Sequence, residues 1–309
     1  MFGWGVSLSL HLLESEIVLG LITGSTYVLV AIGFTLIYGV LRLINFAQLS
    51  IYTIGAFVYV GVYSALSAWH QLPSYAVYVL AAGTGALGAG LVGFGLAACT
   101  WFPIRKAPNF ALLVASLATL ALIQDLIELF IAPIPRAAPN PLTGQVVGLA
   151  GVSVTGSDVA LLVVGVGGTA FVALLVNWTR FGLALRAVAD NSTSARLMGV
   201  PYTRVVLLTF GLAGALAGLA GAMVGAQYGE VSYDMGVNIG LFGFTAAVLG
   251  GMGNVWGAVV GGLILGVVSS LAITVLPSAW QDAITFGVLI VVLAVRPTGI
   301  LSTRTVDRA

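Results

Sequence analysis

Charge is scarce in this sequence. Only 7% of its 309 residues are Asp, Glu, Lys or Arg, while 60% are hydrophobic. A soluble domain carries roughly 25% charged residues. A chain this apolar cannot cover its surface in water, which excludes a soluble enzyme and leaves an integral membrane protein. The net charge of +1 carries no sign of a nucleic-acid partner. Cysteine is nearly absent too. Cys99 stands alone in an apolar run, so there is no disulfide framework and no CxxC metal pair. His11 and His70 are too far apart for metal-ligand spacing. Lys106 is the only lysine, so the phosphate loop GxxxxGK[ST] is missing. No Ser/His/Asp or Cys/His set falls on a common face. The chain is expected to be neither an ATPase nor any other enzyme, with no metal or cofactor of its own. The dyad alternation of a membrane barrel is absent. The opening MFGWGVSLSL has no positive n-region and does not read as a cleaved signal peptide.

Long apolar runs are abundant. A spanning helix needs about 20 apolar residues. Such runs cover residues 17–39, 49–68, 75–102, 110–131, 157–178 and 206–228. After Ser232 the pattern is broken: 239–250 is short, LGGMGNVWG interrupts it, and 258–276 and 283–295 complete the set. This predicts an all-α polytopic protein with about 8–9 transmembrane helices, a single membrane domain over 1–309. At 1.5 Å per residue, 239–250 reaches only about 18 Å, short of about 30 Å of hydrocarbon. A broken or re-entrant helix near 239–253, lining a cavity, is expected. Residues 133–156, rich in Pro and Gly, are too broken for a helix.

The charges separate by side. Arg42, Arg105, Lys106, Arg180, Arg186, Arg196, Arg204, Arg296, Arg304 and Arg308 can all face the cytoplasm, with Asp190 and Asp307. Glu14, Glu16, Asp125, Glu128, Asp158, Glu230, Asp234 and Asp282 then face outward, with Arg136 the only base there. This requires three crossings between Ile239 and Val295, an external N-terminus and a cytoplasmic C-terminus.

The stretch Thr179–Val205 is the longest polar interruption between spans. Its middle predicts one short helix, Asn191–Met198, with Asp190 as N-cap, Arg196 in the last turn, Gly199 as a left-handed C-cap and Pro201 as a stop. A capped helix between two spans reads as a docking element for a soluble cytoplasmic partner.

Gly211, Gly214, Gly218, Gly221 and Gly225 share one helix face, and Gly253, Gly257, Gly261, Gly262 and Gly266 form a second small-residue surface. Each reads either as static bundle packing or as a sliding or subunit interface. Asp125 and Glu128 lie about 22–27 Å along their helix from Phe110, near the outer end. They fit a solvated rim or a contact with an external partner. Asn45 and Gln48, at the break beside Arg42, fit either the translocation path or a cap of the second helix. Thr245 and Asn254 are further path candidates.

Four blocks, in order, resemble one family. GLITGSTYVLVAIGFTLIYGVLRLINFAQLSIYTIGAF (20–57) resembles the opening of the smaller permease subunit of branched-chain amino-acid ABC importers. RFGLALRAVADNSTSARLMGVPYTRVVLLTF (180–210) is similar to that family's cytoplasmic coupling loop, and FTAAVLGGMGNVWGAVVGGLILG (244–266) and RPTGIL (296–301) to its C-terminal blocks. The resemblance implies a bacterial inner-membrane permease with the helical bundle of type II importers. It implies a second, similar permease subunit, two ATPase subunits that bind ATP and Mg2+, and an external solute-binding protein. Asn191–Met198 becomes the coupling helix seated in an ATPase groove, with Arg186, Asp190, Asn191, Ser194, Arg196, Leu197 and Gly199 as its contact set. Asp125, Glu128, Glu230 and Asp234 become the rim that receives the binding protein. After Asn45-Phe46-Ala47 the family usually continues with a His-Gly-Glu-like tripeptide; here Gln48-Leu49-Ser50 follows. The same architecture serves urea, short amides and organic acids, with branched-chain or other small amino acids the commonest cargo.

Two other classes compete. A secondary transporter or channel would need an acid at mid-membrane, where the topology puts none. A membrane scaffold would not need the break at LINFAQ or the short 239–250 helix.

Overall fold

In hydrocarbon a backbone has no water to bond, so apolar runs must satisfy their own amides, and helices do so. The computed structural model describes residues 10–68, 72–131, 133–144, 146–149, 152–275, 277, 280–296 and 298–301. Trp69, His70, Arg304, Asp307 and Arg308 lie outside the described residues. The order is α1 (Leu10–Leu41), α2 (Ala47–Ser67), α3 (Ser74–Leu96), a π-helical turn (Ala97–Trp101), α4 (Phe102–Ile104), α5 (Asn109–Phe130), β1 (Arg136–Ala137), β2 (Val146–Leu149) and β3 (Val152–Thr155). Then come α6 (Gly156–Trp178), α7 (Arg180–Asp190), α8 (Ser192–Leu197), α9 (Tyr202–Tyr228), β4 (Glu230–Val231), α10 (Met235–Gly250), α11 (Val255–Val275) and α12 (Gln281–Val295).

Among the described residues, 7 helical segments are long and apolar enough to cross a membrane, and α10 and α12 are shorter apolar helices. The protein is a polytopic all-α membrane protein. α1 and α9 form its axis: α9 packs against α3, α2 and α1, and α1 packs against α11, α9 and α10. The most apolar windows of α1 and α9 are 72% and 67% buried, against 28% in α5 and 17% in α6. The last two are therefore peripheral in this bundle.

Glycine sets how closely the axis packs. A Cβ on Gly214 would lie 2.7 Å from the Ala89 carbonyl, and one on Gly218 would meet the Ala89 methyl. One on Gly221 would strike the Tyr52 carbonyl, and one on Gly225 would lie 2.6 Å from Val231. The α9 row thus packs inside this chain, against α3, α2 and β4, and is not a subunit contact. Gly257, Gly261, Gly262 and Gly266 face α10 and α1 in the same way. Gly253 is a correction: it sits at φ +96° in the turn before α11, so it serves the turn and not the packing surface.

The expected break after Ser232 is present. α10 has 16 residues, about 24 Å at 1.5 Å per residue. It ends at Gly251, whose φ of +103° only glycine adopts without strain. The C-terminal segment closes on this turn: Ile300 N donates to Leu249 O at 2.9 Å and Leu301 N to Gly250 O at 3.0 Å.

Among its described residues, the segment expected to lack helix carries strands and turns until α6 begins at Gly156. β2 and β3 pair antiparallel. β1 pairs with β4, Arg136 opposite Val231 and Ala137 opposite Glu230. Asn140 Nδ2 also donates to Ala226 O at 3.2 Å, and Tyr59 Oη to Pro139 O at 2.6 Å. The segment is thereby fastened across the ends of α2 and α9.

Candidate functional site

The polar stretch after α6 folds as two helices, not one. Thr179 leaves the α6 helix with extended backbone and caps α7, its Oγ1 accepting from Gly182 N at 3.0 Å. Gly182, Leu185 and Val188 face inward, while Arg180 and Arg186 are exposed. A Cβ on Gly182 would strike the carbonyls of Leu175 and Val176, so glycine permits the sharp corner between α6 and α7.

Asp190 is the last residue of α7 and does not cap α8. Asn191 does: its backbone is extended, at φ −152° and ψ 102°, and its Oδ1 accepts from Thr193 N and Ser194 N, each at 3.0 Å. The physical reason is that Asp190 keeps helical backbone inside α7, and a cap must leave the helix. At the other end Gly199 has φ +83°. Gly199 N donates to Arg196 O and Val200 N to Ala195 O, both at 3.0 Å. This is the paired closure of a Schellman motif. A helix of 6 residues does not hold itself in water; this one is fixed at both ends and by buried Ala195. Beyond that anchor, Leu197 and Met198 stand 84% and 85% exposed.

Two ties connect this segment to the bundle. At the end of α1, Arg42 adopts φ +56°, the only non-glycine residue with positive φ among those described. That conformation costs an L-residue roughly 1–2 kcal/mol. Its guanidinium donates to Ala189 O of α7 at 3.1 Å. On the other side the Arg196 guanidinium lies 3.8 Å over the Tyr202 ring. Tyr202 contacts Trp101, which contacts Phe210, with ring centroids 6.4 Å and 6.5 Å apart.

Trp101 also lines a small cavity with Asn45, Thr100, Ser116 and Thr119. Its volume of about 30 Å3 takes one or two water molecules and no amino acid. Asn45 Oδ1 accepts from Ala47 N at 3.3 Å, just ahead of α2, whose N-cap position is Phe46 and carries no side-chain cap bond. Gln48 is fully buried and donates to Ala213 O at 2.6 Å, joining α2 to α9. Its Oε1 and the Oγ1 of buried Thr245 have no partner. Asn254 sits apart from these three. It accepts from Trp256 N at 3.0 Å and donates to Leu301 O at 2.7 Å. A second cavity of about 210 Å3 brings Asn254 together with Arg186, Thr35 and Asn177. Sequence reasoning missed Thr35 and Asn177. Thr35 is 1% exposed, and its Oγ1 has no partner.

The acidic candidates share the opposite end. Glu230 lies in β4 beside β1, Asp234 accepts from Asn238 at 3.3 Å, and exposed Asp125 and Glu128 lie on the last turns of α5, which leads to β1. Asp158, at the start of α6, accepts from Gln227 Nε2 at 2.6 Å near the end of α9.

Comparison with known proteins fixes the family. The family described as "branched-chain amino acid transport system / permease component" matches residues 16–293. The chain belongs to this permease family. Among individual permeases it is similar to the high-affinity branched-chain amino acid transport system permease protein LivH of Salmonella typhimurium, 33% identical over 297 residues, 94% of this chain and 95% of that protein. The permease BraD of Pseudomonas aeruginosa is 33% identical over 304 residues, 96% of this chain and 98% of its own. A shorter similarity, 34% over 152 residues and 47% of this chain, links it to the autoinducer 2 import system permease LsrC of Escherichia coli. No solved structure matches the chain. Membership makes the chain a transport permease.

In this permease the cap assignment has a direct check. Asn191→Ala should cost about 1 kcal/mol of α8 stability. The amides of Thr193 and Ser194 should exchange with deuterium roughly fivefold faster. Asp190→Ala should leave those rates unchanged. The reverse ranking would restore Asp190 as the cap.

Proposed function

We propose that this permease is one of two membrane subunits of an ATP-driven importer, passing a branched-chain or similarly small amino acid into a bacterial cell. An external binding protein delivers the cargo to the end carrying Glu230, Asp234, Asp125 and Glu128. Two partner ATPases bind ATP and Mg2+ and dock on α8 from the cytoplasm, which puts the N-terminus outside and the C-terminus inside. The observation that carries this reading is α8: fixed at both ends, it presents Leu197 and Met198 almost bare beside exposed Arg196. A lipid-facing helix would have no use for that polar setting, and an isolated one would bury the leucine.

Cargo identity is supported by what two relatives matched over nearly the whole chain are named for, permeases of branched-chain amino acids. The cavity at Asn45, about 30 Å3, is too small for the cargo, so on this reading the path widens when the ATPases act. The test is uptake of labelled leucine and isoleucine by vesicles holding the co-purified complex. ATP-dependent accumulation is expected. Recovery of the chain without an ATPase, or uptake that ignores ATP, would overturn the reading. Ser192→Cys should react with an impermeant thiol reagent from the cytoplasmic side only; reaction from outside would reverse the orientation.

A further inference from the structure

Two hollows on the α3–α9 flank share one stripe of α9. The first is an apolar slot of about 680 Å3 between α3, α9 and the α6–α7 corner, walled by Leu87, Leu91, Phe94 and Leu208 among others. Gly90 and Gly211 form its floor, where α3 and α9 approach closely enough that a Cβ on Gly90 would lie 3.0 Å from Gly211 O. Leu87 and Leu91 are 68% and 74% exposed, so the slot opens outward on an apolar flank of the bundle. The second hollow adjoins it at the end nearest α8 and is lined by Arg105, Arg196, Tyr202 and Arg204. At about 100° per residue, Arg204, Leu208, Gly211 and Ala215 fall within roughly 60° of each other. The basic hollow therefore continues the slot one helical turn further along the same face. No acidic residue lines either hollow. Arg196 is stacked on Tyr202, and Arg105 and Arg204 are both exposed.

We infer that this flank binds an anionic phospholipid, its phosphate between Arg105 and Arg204 and one acyl chain in the slot. An apolar groove ending at two guanidiniums, with no acid to neutralise them, matches a headgroup phosphate joined to a hydrocarbon chain. Guanidinium forks suit phosphate oxygens, and the slot gives an acyl chain a surface as apolar as the bilayer. Since α8 follows α7 and precedes Arg204, the bound lipid adjoins the segment where the partner ATPase docks. With the orientation proposed above, the bound lipid belongs to the cytoplasmic leaflet; the binding itself does not depend on that orientation.

The experiment uses the full chain in mixed micelles containing equal phosphatidylglycerol and phosphatidylcholine, with bound lipid counted by native mass spectrometry. Phosphatidylglycerol should be retained on the order of tenfold over phosphatidylcholine, from two basic residues near the headgroup. Arg105→Gln with Arg204→Gln should remove that preference, and the paired lysine substitutions should keep most of it. Leu91→Trp, which fills the slot from an exposed position, should lower retention of both lipids. Equal retention of the two lipids by the unaltered chain would overturn the inference, as would a preference that survives the double glutamine variant. Full displacement by millimolar inorganic phosphate would show a phosphate site without an acyl component. Leu91→Cys forming a disulfide with a second permease chain would show that protein covers the slot. Either result overturns the lipid assignment. Lipid retention needs neither ATP nor transport, so a failure here leaves the transport reading untouched, and the reverse holds.

Discussion

Leu197→Asp combined with Met198→Asp should abolish ATP-driven uptake while leaving the permease folded and in the membrane. Both side chains are more than four-fifths exposed, so the substitutions remove no packing from the bundle. The ends of α8 are closed by Asn191 and Gly199, and neither closure involves these side chains. What changes is the surface presented to a partner. An apolar anchor seated in a partner's groove is typically worth 2 kcal/mol or more. Two carboxylates in the same groove add a desolvation cost. The apparent affinity for the ATPase subunits should fall by roughly 100-fold or more. Pull-down affinity and ATPase stimulation in reconstituted vesicles read this directly. A double variant that keeps full stimulation would remove α8 as the docking element and leave the proposed energy input without a site.

The spans were legible in the sequence to within a few residues because their signal is hydrophobic length, which needs no partner to interpret. The short α10 and the turn at Gly251 were legible for the same reason: a helix too short for the bilayer announces its own break. α7 was not. Its arginines read as loop, and the buried set Gly182, Leu185 and Val188 was obscured by the many small apolar residues around it. A stricter search for three-residue spacing after a Thr cap would have found it. Asp190 and Asn191 are adjacent and both good caps, so composition could not choose between them. The choice follows from where α7 stops. The path candidates illustrate a further limit. A sequence shows that Gln48 is polar within an apolar run; only packing shows that it is sealed against Ala213, whereas Asn254 lies in an open cavity beside Arg186.

That cavity and the ties around it give a physical route from α8 to the interior. Arg42 holds the α1–α2 break to α7 by one exposed hydrogen bond, in a backbone conformation that an L-residue adopts at a cost. Arg196, Tyr202 and Trp101 form a chain of ring contacts from α8 to the cavity at Asn45. Both routes meet at the break between α1 and α2. On the proposed reading, a displacement of α8 by a docked partner would act on the same few residues from two sides.

A displacement of that kind moves rigid bodies only if the helices inside each body cannot slip, and the glycine row on α9 supplies the check. Gly218→Ala should destabilise the permease by about 1–3 kcal/mol, the range for adding a methyl to a full core. The usual result in a helix is the opposite, since alanine gains up to about 1 kcal/mol over glycine. Here the new methyl meets the Ala89 methyl, and it lies 3.0 Å from the Gly85 carbonyl and 3.4 Å from Gly55 Cα. Two of those three neighbours are backbone, which cannot rotate away. Gly61→Ala is the control, because nothing lies within 4 Å of its Cβ position; it should be neutral or stabilising. Adding Ala89→Gly to Gly218→Ala removes the worst contact and should recover most of the loss, a coupling of 0.5 kcal/mol or more in a double-mutant cycle. The residual deficit then measures the Gly85 carbonyl contact. Unfolding midpoints in detergent, taken for the four variants and the parent chain, decide the matter. If Gly218→Ala unfolds with the parent, α3 and α9 are loosely packed and free to slide.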